Sequence, residues 1–72
     1  MQLVPAQTRA LSTMFSYKLV IHNPDIRRPG RAYDILATQR GAIQQAADFI
    51  REASRAWGTP PMAIDYVLRK VR

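Results

Sequence analysis

The side chains that could do chemistry in this chain are few. His22 is the single histidine, and a hydroxyl nucleophile would have to be Ser12, Ser16 or Ser54 activated by it. None of these serines sits in a Gly-x-Ser-x-Gly elbow, the strained turn that exposes a hydrolase nucleophile. The five acids, Asp25, Asp34, Asp48, Glu52 and Asp65, form no repeated carboxylate motif. Gly30, Gly41 and Gly58 each stand alone at punctuation points, so no glycine-rich loop is present to cradle a phosphate. Absence of cysteine excludes disulfides and thiolate metal sites, and one histidine leaves no pair for zinc. The expectation is a protein that is not an enzyme and holds no cofactor. His22 reads as a surface residue at a strand end, and Trp57 as a core anchor at a helix end.

What remains is charge. Eleven Lys and Arg stand against five Asp and Glu, a formal net charge of +6. Nine of the eleven are arginine, whose planar guanidinium makes two-pronged contacts to carboxylate or phosphate. Arginine is also common in proteins of GC-rich genomes. The stretch Asn23 to Arg31, NPDIRRPGR, holds Arg27, Arg28 and Arg31. Arg40 opens the following segment, Arg51 and Arg55 recur at one-turn spacing, and Lys70 lies near the end of the chain. These seven residues are the candidate partner-binding set. A surplus of this size attracts an acidic protein face, a nucleic acid or an anionic membrane. The expected partner is an acidic surface of a protein or ribonucleoprotein complex, with direct nucleic-acid contact as the alternative and no membrane.

The elements that would carry these residues follow from periodicity. In Phe15 to His22, Phe15, Tyr17, Leu19 and Ile21 alternate with Ser16, Lys18, Val20 and His22, the pattern of a half-buried strand. Arg31 to Thr38 alternates likewise, with Tyr33, Ile35 and Ala37 on one face. The link between them is too short for a crossover, so the two pair antiparallel. From Ala42 to Trp57, Ile43, Ala46, Ala47, Ile50, Ala53 and Trp57 recur at helical spacing, and Phe49 widens the stripe. Thr38 is a candidate N-cap, and Gly58 with Pro60 and Pro61 ends the helix. Met62 to Arg72 fits either a third strand, with Ile64, Tyr66 and Leu68 inward, or a second helix capped by Thr59. The strand is favoured, because two strands and one helix make a poor core.

The expected fold is therefore α+β: a single small domain over residues 14–72, with a three-stranded antiparallel sheet and one amphipathic helix on one face, in the order ββαβ. A β-hairpin followed by two helices is the alternative. Residues 1–13 read as a flexible arm. One sheet face is left without a helix, populated by Lys18, Val20, His22, Asp34, Leu36, Val67 and Val71. It is a docking surface unless the arm folds over it. With 72 residues the core supplies only about 3–5 kcal/mol, so support from a partner or self-association fits the size. No apolar run approaches the roughly 20 residues that span a bilayer, and the first residues lack the form of a signal peptide. A cytoplasmic protein is expected.

Element order, the helix AIQQAADFIREASRAWG and the turn Trp57-Gly58-Thr59-Pro60 together resemble the small phage-encoded anti-CRISPR proteins. The resemblance spans roughly Phe15 to Val71. It implies an inhibitor that binds a multi-subunit CRISPR–Cas surveillance complex in the host cytoplasm and blocks DNA recognition or nuclease recruitment. It carries no catalytic residue over to this chain. The strong positive charge departs from the acidic DNA mimics of that family.

Overall fold

The structure, a computed structural model, describes residues 13–72; the arm expected over residues 1–13 lies, except for Thr13, outside the described residues. Strand β1 covers Phe15–Ile21, β2 covers Arg31–Ala37, helix α1 covers Gln39–Trp57 and β3 covers Tyr66–Lys70, with a short 3-10 turn at Pro61–Ala63 before β3. All strands are antiparallel, in the order β2-β1-β3. This is the ββαβ arrangement, and the alternative with two helices does not form. The segment after Pro60 makes only the 3-10 turn Pro61–Ala63. The β-branched and aromatic residues beyond it then pair with the free edge of β1.

Register fixes the two faces. Phe15, Tyr17, Leu19 and Ile21 lie opposite Ala37, Ile35, Tyr33 and Arg31 on one side. Tyr17, Leu19 and Ile21 lie opposite Lys70, Leu68 and Tyr66 on the other. These residues share the face that looks toward α1. Leu19 and Ile21 are fully buried, and Ile35, Ala37 and Ile64 nearly so. Each such large apolar side chain contributes roughly 1.5–3 kcal/mol by leaving water. Tyr33 stacks on Phe49 of the helix with ring centroids 3.9 Å apart.

Thr38 caps α1 by accepting a hydrogen bond from the Gly41 amide at 3.1 Å. The helix therefore starts at Gln39, as the Thr38 cap implies. It ends at Gly58, whose φ of 65° is left-handed, a conformation open to glycine at little cost. Ala42, Ala46, Ile50 and Ala53 form its buried line. Ile43 and Ala47, expected in that line, are exposed. The reason is lateral: α1 lies mainly over β2 and β1 and covers β3 least. Tyr66 accordingly faces the helix side but is half exposed. Among the described residues no helix is long and apolar enough to cross a membrane.

Candidate functional site: a basic hairpin tip

The link between β1 and β2 is built by its own short side chains. Asn23 Oδ1 accepts from the Asp25 amide at 2.9 Å, and Asn23 Nδ2 donates to the Pro29 carbonyl at 3.4 Å. Asp25 Oδ1 accepts from the Arg27 amide at 3.0 Å and from Arg27 Nε at 3.2 Å. The Arg28 amide donates to the Asp25 carbonyl at 2.9 Å, and Arg28 Nε lies 3.9 Å from Asp25 Oδ2. Two successive side-chain-to-backbone turns thus replace the ladder that the loop cannot form. Gly30 closes the hairpin: a Cβ there would sit 2.1 Å from the Ile21 carbonyl oxygen.

The Asp25 carboxyl is held below its ordinary 3.8, first by the Arg27 side-chain hydrogen bond, then by the Arg27 amide and the charge of Arg28. One acid against Arg27 and Arg28 leaves the tip with a single excess positive charge. A guanidinium carries five N–H donors, and the Asp25 hydrogen bond uses one of those on Arg27.

Arg31 is not a tip residue, although it belongs to the arginine-rich stretch. It is the first residue of β2, paired with Ile21 on the helix-facing side. Its guanidinium carbon lies 5.5 Å from the centre of the Trp57 ring. Trp57 is half-buried against the core, as an anchor should be. Asn23, Pro24, Asp25, Arg28, Trp57 and Thr59 together enclose an open depression of about 490 Å³ between the hairpin tip and the helix end. Arg55, in the last turn of α1, is at the same end of the molecule, where a cation also complements the helix dipole.

The remaining candidates lie elsewhere. Arg51 is held by Asp48, one turn earlier on the helix. Arg40 is the second residue of α1, and Lys70 ends β3 with its Nζ 4.0 Å from the Phe15 ring centre. The structure therefore brings Arg27, Arg28, Arg31 and Arg55 to the loop end, leaves Arg51 midway along the helix and sets Arg40 and Lys70 at the opposite end. Asp25, Asn23 and Trp57 belong to the loop-end site and were not among the candidates. The signal for the first two is the Asn-Pro-Asp run, in which each polar side chain can reach the backbone two residues on.

Among the described residues no three His, Cys, Asp or Glu side chains are grouped closely enough to hold a metal ion, and no polar side chain is buried. The fold and site define a small α+β domain with an ordered basic hairpin tip. Compared with family models, curated proteins and solved structures, the chain matches none of them.

Proposed function

We propose that this protein acts without chemistry, as an inhibitor or adaptor that docks on an acidic surface of a larger protein or ribonucleoprotein through its loop end. The observation that carries this reading is the Asp25-centred turn. It holds Arg27 and Arg28 on a loop fixed by hydrogen bonds of 2.9–3.2 Å to Asn23 and Asp25, so less ordering is required at docking. Exposed guanidiniums steer encounter with acidic groups and grip carboxylates in two-pronged fashion. Trp57, half-buried against the core with Arg31 over its ring, lies beside them. The resemblance to small anti-CRISPR proteins makes a CRISPR–Cas surveillance complex in a host cytoplasm a concrete target.

Protein is favoured over bare nucleic acid by the placement of the tyrosines. Sheet-based readers of single strands stack bases on aromatic residues of the open face. Here Tyr17 is buried and Tyr33 is stacked on Phe49, and Tyr66 also falls on the helix side. The test is a double variant, Arg27→Ala with Arg28→Ala, titrated against a purified surveillance complex and against mixed-sequence DNA and RNA over a range of salt. The expected result is an unchanged melting temperature and roughly tenfold or greater loss of affinity for the complex, as for hot-spot arginines. Undiminished binding by the variant overturns the loop assignment. Binding only to nucleic acid, fading steeply with salt, establishes the phosphate-contact reading instead.

A further inference from the structure

The sheet face turned away from α1 has a composition unlike the rest of the molecule. Register places Leu36, Ser16 and Val71 in one row across β2, β1 and β3, with the Val71 amide donating to the Ser16 carbonyl at 2.7 Å. Asp34, Lys18 and Arg69 form the next row, and Ala32, Val20 and Val67 the third. Leu36 is 66% exposed, Val71 55% and Val67 52%. Asp65 continues β3 on this face, its carbonyl accepting from the His22 amide at 2.8 Å. Arg72 also exchanges backbone hydrogen bonds with Ser16 beside Leu36, so Lys18, Arg69 and Arg72 stand against Asp34 and Asp65. In a chain of net charge +6, this face carries one excess positive charge, and among the described residues the rest of the excess lies at the loop end, on the helix and at the far end.

We propose that this face is the contact between two copies of the chain. An acidic partner would find only one excess positive charge here, whereas a second copy finds a complement. Consider a two-fold axis parallel to β1 in the plane of contact. It lays β2 of one copy over β3 of the other and keeps each row level with itself. Leu36 then meets Val71 of the second copy, and Ala32 meets Val67. The charged row reads acid, base, base across the sheet, so Asp34 meets Arg69 of the second copy. Lys18 falls on the axis against its own copy, and each Lys18 keeps its Asp34, 3.6 Å away in the same chain. Aligned packing of two sheets about 10 Å apart has this geometry. A three-stranded face seven residues long measures roughly 14 by 23 Å, which belongs to the small, transient class of interfaces. This assignment goes beyond the loop-end reading and stands without it.

Sedimentation equilibrium on the full chain tests the proposal. The expected result is a weight-average mass that climbs from 8.2 kDa toward twice that value over roughly 10 μM to 1 mM, the range of a weak interface. Association should strengthen with salt, because screening removes repulsion between two chains of net charge +6. Phosphate or carboxylate docking at the loop end has the opposite salt dependence, so failure of one proposal is distinguishable from failure of the other. Asp34→Arg alone and Arg69→Asp alone should each hold the mass at the monomer value, and the two together should restore association. Leu36→Ser, which alters no charge, should also weaken it. A mass that stays at 8.2 kDa up to the top concentration overturns the proposal. So does a double variant no better associated than either single one, or association that falls with salt.

Discussion

Asp25 accepts from both the amide and the side chain of Arg27 and faces Arg28, so the basic tip depends on one carboxylate. Its folded value lies below its ordinary 3.8. The order it confers is therefore complete above 3.8 and is lost as pH falls through the depressed value. The Arg27 and Arg28 amide resonances should stay constant from neutrality down to that limit and move only in more acidic solution. Asp25→Ala should speed hydrogen exchange at the Arg27 amide at neutral pH and leave the core amides protected. Gly30 presents a steric limit instead. A methyl group there would meet the Ile21 carbonyl at 2.1 Å, so Gly30→Ala must shift backbone and should cost about 1–3 kcal/mol, as overpacking does. Urea denaturation would read that loss.

Helix α1 is capped well and charged badly at its start. Thr38 satisfies the Gly41 amide, yet the first turn has no acid and contains Arg40. A cation there opposes the helix dipole. Arg40→Glu should raise stability by about 0.3–1 kcal/mol, seen as a higher melting temperature, and an accompanying loss of partner affinity would place Arg40 in the contact. The helix was legible in the sequence because alanine and isoleucine recur at its period and Gly58 ends it. Strands β1 and β2 were legible from alternation. The exposure of Ile43 and Ala47 was not, because it depends on strand order: β3 joins β1 rather than β2, and no local pattern encodes that choice. The same limit hid the role of Arg31. Its neighbours in sequence are loop residues, but pairing with Ile21 turns it toward Trp57.

At the scale of the whole molecule, a small core sits beneath widely dispersed charge. Leu19 is fully buried at the centre of the sheet. Leu19→Ala should cost about 2–5 kcal/mol, comparable to the roughly 3–5 kcal/mol available to a domain of this size. The variant should be substantially unfolded at room temperature, with circular dichroism as the readout. The cations of the described residues, by contrast, divide between the two ends, the helix and the middle row of the outer sheet face, so the surface has separable regions. The contact between Arg31 and Trp57 makes one of them visible. Trp57 is the only indole in the chain, and its ring lies 5.5 Å from the Arg31 guanidinium carbon, on the helix side of the sheet. Its intrinsic fluorescence is an internal optical probe of the loop end. A partner that covers the indole shifts its emission to shorter wavelength, an anion that draws Arg31 away changes its intensity, and an event confined to the opposite sheet face leaves the spectrum unaltered.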